Sequence, residues 1–431
     1  MADTAQIEAD PRPVVTTHVL DMLGRSRSEP EFLRSLRLRA RHSYQAQALP
    51  RRSEHLWKYS DPARLWPRGE PVSLGPVHPL PLPALDGRGA MTVVQPGTQL
   101  RATVDARVAE QGVRIVCLGE DGPQLHLLGQ AVPAEHGLFE ALNLATFSAG
   151  AMIYIPRGVR VTLPLHVVIA ATQAHSAARL LVVIEEGAEA TIVEEHLGGD
   201  LEARASTVSE LFVAPGATLQ HVLIQDWPVT VSGHQTVRAC VERDGHFASL
   251  LLNLGGRDSK LDLGARLEGS GASSEMVGVV LGDDRQRLDL HTVQDHAAAH
   301  GTSSIDVKVV LGQRAEAAYT GLIRVAKDAP GCKAYQENRN LLLSSRARAQ
   351  TIPELEILTD DVSCSHGATV SPVDPAQLFY LQSRGLPAPQ ALRLVVQSFF
   401  ENTLARLPEA LRVDVEQRLA PRLDSMSGVV A

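Results

Sequence analysis

The chain is poor in aromatic residues and contains no long apolar run. Only 4% of its 431 residues are Phe, Trp or Tyr, whereas 44% are hydrophobic. Its core must therefore consist of Val, Leu, Ile and Ala, which suits thin stacked layers. No apolar stretch reaches the ~18 residues that span a bilayer, and the N-terminus has no apolar signal region. We expect a cytoplasmic protein that does not bind membranes.

Basic runs, paired cysteines and nucleotide-binding loops are also missing. The net charge is -8 without a long Lys/Arg run, which argues against a nucleic-acid surface. The four cysteines form no C-x-x-C pair, so a ferredoxin-type set of four thiolates is absent. No G-x-x-x-x-G-K-[ST] loop is present, which excludes ATP binding by a P-loop. These absences favour a protein without catalytic activity of its own.

The middle of the chain repeats at a fixed spacing. Glycine corners precede alternating strands every 29 residues, at Gly187, Gly216 and Gly245. Glycine supplies tight corners, and β-branched residues supply flat strands. Turn-plus-strand units of fixed period are typical of a stacked solenoid. We therefore predict a mainly β fold with a parallel β-helix core.

The composition along the chain predicts four regions. An N-terminal helical region covers residues 1–65, and a Pro-rich linker with irregular lead-in strands covers 66–145. The β-helix core follows over 146–373. A C-terminal helical region completes the chain over 374–431.

The last coils of a β-helix leave a sheet edge that aggregates, is capped or pairs with a partner. Here these coils carry the strand-prone residues Leu341, Leu343, Leu355 and Ile357. We predict that the sheet of another chain joins this edge. That chain is either a second copy, forming a homodimer, or a related protein.

The C-terminal region contains an amphipathic helix. Leu392, Val396 and Phe399 share one face at helical spacing, and Phe400 widens it. Two interpretations stay open: the helix packs back on the β-body, or it docks into a groove of a partner.

A thiol and an imidazole stand two residues apart near the end of the core. Cys364 and His366 lie in a polar stretch that we interpret as a turn region, before a helix that begins at Asp374 and Pro375. Residues i and i+2 of a strand share a face, so both side chains can point at one ligand. Thiolates are soft ligands for iron or sulfur. Cys364 and His366 are therefore the candidate metal ligands.

Several continuous runs resemble the SufB/SufD family of iron–sulfur cluster assembly scaffolds, and most closely its SufD branch. These runs are CSHGAT over 364–369, LFYL over 378–381 with Phe379, and SRGL over 383–386. The resemblance extends from about Pro50 to the C-terminus and implies the same β-helix fold. It also implies SufB as the partner at the last coils and the ATPase SufC as the partner of the C-terminal region.

The resemblance further implies a role for the candidate ligands. His366, then Cys364, would contribute to a transient iron–sulfur cluster at the interface with SufB, and this chain would hold no cofactor permanently. The SufB branch has a functional cysteine where this chain has Asn338, so we do not expect this chain to accept sulfur.

Two alternative functions are weighed against the scaffold. One is a homodimeric storage or regulatory β-helix protein. The other is a β-helix enzyme acting on polysaccharide, which needs clustered acidic or basic residues along an exposed groove and usually a secretion signal.

Overall fold

The computed structural model describes residues 12, 14–27, 29–65, 88–97, 100–120, 122–406 and 409–427. The Pro-rich stretch over 66–87 lies outside the described residues. The described part is mainly β with helices at both ends, so the predicted fold class is confirmed.

The core is a solenoid of two sheets, one of ten strands and one of nine. From β4 onward, consecutive strands alternate between the sheets and pair in parallel with strands of neighbouring coils. The ten-stranded sheet contains β1 (Ala90–Val94), β2 (Arg101–Val104), β5 (Leu165–Ala171), β7 (Glu189–Gly198), β9 (Thr218–Gln225), β11 (His246–Asn253), β13 (Ser273–Gly282), β15 (Thr302–Leu311), β17 (Cys332–Leu342) and β19 (Val362–Pro372). The nine-stranded sheet contains β3 (Arg114–Cys117), β4 (Ala149–Ile155), β6 (His175–Ile184), β8 (Ala203–Val213), β10 (Val231–Val241), β12 (Asp258–Leu267), β14 (Arg287–His296), β16 (Glu316–Val325) and β18 (Arg348–Ile357).

The 29-residue repeat is the length of one coil through much of the solenoid. Register pairs such as Ile192 with His221 differ by this number. Gly187 and Gly216 have φ angles of 65° and 64°, which favour glycine at the corners. At the third corner Asp244, not Gly245, takes the left-handed conformation, with φ 57°. Asp tolerates this region better than most residues, which keeps the corner intact.

Helices cover both outer faces of the solenoid. They are α1 (Thr17–Arg27), α2 (Glu31–Ala46), α3 (Pro62–Leu65), α4 (Ala106–Glu110), α5 (Leu138–Thr146), α6 (Pro375–Ser383), α7 (Ala388–Leu404) and α8 (Glu409–Ser427). None of the described helices is long and apolar enough to cross a membrane.

The N-terminal helices lie on the nine-stranded sheet. α1, α2 and α5 share one apolar cluster with the outward side chains of β4, β6 and β8. In the segment that follows α2, Trp57 stacks with both Phe139 and His234, with ring centroids 5.0 and 5.8 Å away, and these two rings also stack on each other at 4.8 Å. The ammonium group of Lys260 lies 5.1 Å from the Trp57 ring. Aromatic packing thus fixes the N-terminal region to the solenoid.

The C-terminal helices α7 and α8 lie on the ten-stranded sheet. Their buried residues pack against outward side chains of β7, β9, β11, β13, β15 and β17. Ion pairs supplement this contact: Arg418 pairs with Glu195 of β7, and Arg406 pairs with Glu275 of β13. The helical appendage therefore packs back on the body, which was one of the two interpretations left open.

Candidate functional site at the open end of the solenoid

The solenoid ends in two strands that are paired on one side only within the described residues, β18 and β19. In β18, Leu355 and Ile357 are in register with Ile323 and Val325 of the preceding coil. Ile323 and Val325 are completely buried, whereas Leu355 is 38% and Ile357 36% exposed. Side chains at these two positions stack from coil to coil and face the interior (lumen) of the solenoid. In the last coil these lumen-facing columns become accessible, because no further coil covers them.

Cys364 and His366 lie inside β19, so the interpretation of this stretch as a turn is wrong. The parallel ladder with β17 overrides the local preference of Ser and Gly for turns. Cys364 is in register with Ala334, and His366 is in register with the buried Gln336. Both side chains therefore belong to the lumen-facing side of the last rung.

Cys364 lies in a largely apolar environment. It packs against a buried cluster that contains Ile323, Val325 and Cys332. Burial, and then the nearby Cys332, raises the pKa of the Cys364 thiol. Cys332 is itself buried, and its thiol lies 3.5 Å from the carbonyl oxygen of Ala298. Both thiols are therefore protonated at neutral pH, and Cys364 becomes a thiolate ligand only when a metal displaces its proton.

His366 is an exposed imidazole without a hydrogen-bond or ion-pair partner among the described residues. Beneath it, the side-chain amides of Gln336 and Asn338 donate to backbone carbonyl oxygens of Gly321 and Val307, at 3.2 and 3.1 Å. The buried amide oxygen of Gln336 has no hydrogen-bond partner there. The last coil thus offers one free imidazole and one thiol, and the coil beneath it adds an open acceptor. These groups can contribute to a metal site but do not complete one.

The structure divides the residues predicted to contact partners into two groups. Leu355, Ile357 and Phe379 are exposed, and Phe379 is 73% accessible. The other group lies between the C-terminal helices and the ten-stranded sheet, where only Phe399 is partly buried and the rest are buried: Leu341, Leu343, Leu392, Val396, Phe399 and Phe400.

The second group packs within this chain, and direct partner contact at these positions stays a prediction. Leu392, Val396 and Phe400 lie on the face of α7 that is turned toward the sheet, and Leu341 points outward from β17 into the same cluster. Their burial removes apolar surface from water within this chain. In this conformation they are not available to another protein.

The described residues contain no cluster of three or more His, Cys, Asp or Glu side chains with the geometry of a metal site. Sequence reasoning missed three arginines that stack at one corner of the solenoid, Arg285, Arg314 and Arg346. It missed them because their stacking depends on the register between coils.

Comparison with known proteins identifies the family. Residues 167–399 match the family model of the SUF system FeS cluster assembly SufBD core domain. The chain is 28% identical over 303 residues to the iron-sulfur cluster assembly protein SufB of Bacillus subtilis, covering 69% of this chain and 65% of the relative. It is 32% identical over 319 residues to an iron-sulfur cluster assembly SufBD family protein of Mycobacterium tuberculosis, covering 71% of this chain and 76% of the relative.

A third relative is an iron-sulfur cluster assembly SufBD family protein of Synechocystis, which is 30% identical over 298 residues. That match covers 66% of this chain and 65% of the relative, so the chain spans just under two thirds of this protein and of the Bacillus subtilis protein. The family match includes the whole stretch from β7 to β19. The chain therefore belongs to the SufBD family of iron–sulfur cluster assembly proteins.

Proposed function

We propose that this chain is a SufD-like scaffold subunit of an iron–sulfur cluster assembly complex. It pairs through β18 and β19 with a SufB-like paralogue, and it pairs with a second copy of itself when that paralogue is absent. The observation that carries the proposal is the open end of the solenoid, where Leu355 and Ile357 continue buried columns but are exposed. A partner sheet that extends both columns removes this apolar surface from water and satisfies the free backbone edge.

The cluster is cargo of the complex in this proposal. His366 supplies a nitrogen ligand from the open end, and Cys364 supplies a sulfur ligand after losing its proton. One or two ligands from this chain leave the remaining coordination positions to the partner. A cluster divided between two proteins is released when their interface opens, which suits transfer to a recipient.

A SufC-like ATPase binds to the exposed surface of the C-terminal helical region. None of the residues of α6 is buried, and Phe379 and Tyr380 are 73% and 57% exposed. Leu394 on α7 is 44% exposed and borders a groove between α7 and α8. These residues, and not the buried face of α7, form the docking surface. Removing α7 and α8 is a poor test, because it would uncover the apolar face of the ten-stranded sheet.

Replacement of His366 tests the role of the open end. We expect His366→Ala to lower the iron and sulfide content of the complex co-purified with its SufB-like and SufC-like partners, because one ligand is lost. His366→Cys keeps a metal ligand and should restore part of this content. The readouts are elemental analysis and the visible absorption of the cluster.

His18→Ala is the matched control, because His18 is an exposed histidine on α1. Its complex should carry the wild-type amount of cluster. Wild-type iron and sulfide in the His366→Ala complex would remove His366 from the site. An equal loss in both variants would point to a general effect of histidine removal.

A further inference from the structure

Three arginines form a column at one corner of the solenoid. Arg285, Arg314 and Arg346 each stand two residues before the start of β14, β16 and β18. In these strands Arg287 is in register with Glu316, and Glu316 is in register with Arg348. The three corner arginines therefore lie on successive rungs, which are about 4.8 Å apart in a sheet.

Charges on neighbouring rungs are paired elsewhere in this solenoid. Arg157 pairs with Glu186 at 2.8 Å, and Arg160 pairs with Glu189 at 2.7 Å. Two residues from the column, Arg287 lies between Asp258 and Glu316, at 3.4 and 3.6 Å. Alternation of charge between coils is thus a repeated feature of the outer surface.

The arginine column breaks this pattern. Within the described part of the chain, Arg285, Arg314 and Arg346 have no carboxylate within ion-pair distance, and their side chains donate no hydrogen bond. Like charges on adjacent strands destabilise a sheet. Here the pairing of opposite charges between rungs is absent, and no other contact within the described chain replaces it. Such exceptions to the regular pattern of a fold are typical of binding sites. A bound anion would relieve the repulsion among the three guanidinium groups.

The column lines a cavity of about 490 Å³. This volume lies within the range of ~300–1,000 Å³ for small-molecule pockets. Ser344 and Ser345 add hydroxyl donors, and Asp284 is the only acidic residue in the lining. Leu343 and Met426 provide an apolar wall. Three arginines against one aspartate give the lining of this cavity a net positive charge, and two hydroxyls add hydrogen-bond donors. The cavity is therefore suited to an anion, although the whole chain has a net charge of -8.

We propose that this corner binds a small polyphosphate-bearing molecule, with successive phosphate groups on successive arginines. Guanidinium groups bind phosphate oxygens through paired N–H donors, and serine hydroxyls complete the phosphate shell. The guanidinium groups belong to three successive rungs, so a chain of phosphates matches their spacing better than a single phosphate does. The apolar wall leaves room for an organic group attached to the phosphates.

Isothermal titration of the full chain with tripolyphosphate and with pyrophosphate, in metal-free buffer, tests this site. We expect 1:1 binding, tighter for tripolyphosphate, that weakens as salt is added. Arg314→Ala removes the central cation and should weaken binding about tenfold or more. Arg314→Lys keeps the charge without the planar fork and should give an intermediate affinity.

Arg157→Ala is the matched control, because Arg157 is a corner arginine that has a carboxylate partner on the next rung. It should bind tripolyphosphate like the wild type. Circular dichroism would verify that each variant keeps its β fold. Absence of binding to both phosphates, or an equal loss in Arg157→Ala and Arg314→Ala, would overturn the proposal. Citrate binding as tight as tripolyphosphate binding would also overturn it, because the site would then select carboxylates.

Discussion

Replacement of Phe400 tests how strongly the C-terminal helices are held on the solenoid. Its side chain is 1% exposed and packs with Leu392 and Val396 against the ten-stranded sheet. Truncation of a buried Phe to Ala usually costs about 3–5 kcal/mol of folding free energy. Since every 1.4 kcal/mol is a factor of about ten, Phe400→Ala should increase the local opening of α7 by about 100-fold or more.

Hydrogen–deuterium exchange of α7 and α8 under native conditions measures this opening directly. Phe379→Ala is the matched control, because this Phe is 73% exposed on α6. Its effect on stability should stay within about 0.5 kcal/mol, as for other surface changes. Protection of α7 that is unchanged in Phe400→Ala, or reduced equally in both variants, would refute the assignment of the buried face.

The same two variants distinguish attachment of α7 to the solenoid from docking of a SufC-like ATPase on the C-terminal region. Phe379→Ala should weaken capture of a SufC-like ATPase without loosening α7, because it removes part of the proposed docking surface. Capture that is unaffected by Phe379→Ala would move the docking surface away from α6.

Two further predictions concern the solenoid edge and the pH dependence of the contact between α8 and β7. The double variant Leu355→Glu, Ile357→Glu should prevent pairing of the chain with itself or with a SufB-like paralogue, measured as the mass of the complex by light scattering. Val229→Glu, at a loop residue that is 58% exposed, is the control. A complex of unchanged mass with the double variant would exclude this edge as the interface. Burial raises the pKa of Glu195, but its hydrogen bonds with His166 and Arg418 outweigh burial and lower that pKa to about 2. A carboxyl with a lowered pKa stabilises the folded chain fully above its ordinary value of 4.5 and loses this contribution as the pH falls toward 2. Protection of α8 from exchange should therefore decline over this window, and Glu195→Gln should flatten the decline; an identical profile in the variant would contradict the linkage.

The solenoid could be predicted because its corners recur in the sequence. Ala315, Gly331, Ala347 and Ser363 stand 16 residues apart, and each lies at or close to the start of one strand from β16 to β19. The start of α6 was equally readable: the Asp374 side chain accepts a hydrogen bond from the backbone N–H of Ala376 at 2.8 Å, and Pro375 occupies the first turn. Local signals of this kind survive in the fold because no distant contact opposes them.

Properties that depend on distant contacts could not be read in the same way. Ser365 and Gly367 favour a turn locally, but pairing with β17 holds them in a strand. Leu341 and Leu355 are equally strand-prone, yet only the structure shows that helices cover Leu341 while Leu355 stays exposed. The arginine column was hidden because its members stand 29 and then 32 residues apart, so that the coil between Arg314 and Arg346 is longer than the one before it.

Hydrogen–deuterium exchange of residues 348–372, with and without a SufB-like paralogue, tests the central claim most directly. These residues form the last rung, β18 and β19, and their outer backbone edge is unpaired within the described chain. We predict that the paralogue slows exchange along both strands and leaves the first coils unchanged. Slowed exchange elsewhere, with the last rung as fast as in the isolated chain, would contradict the proposal that the open end is the partner interface.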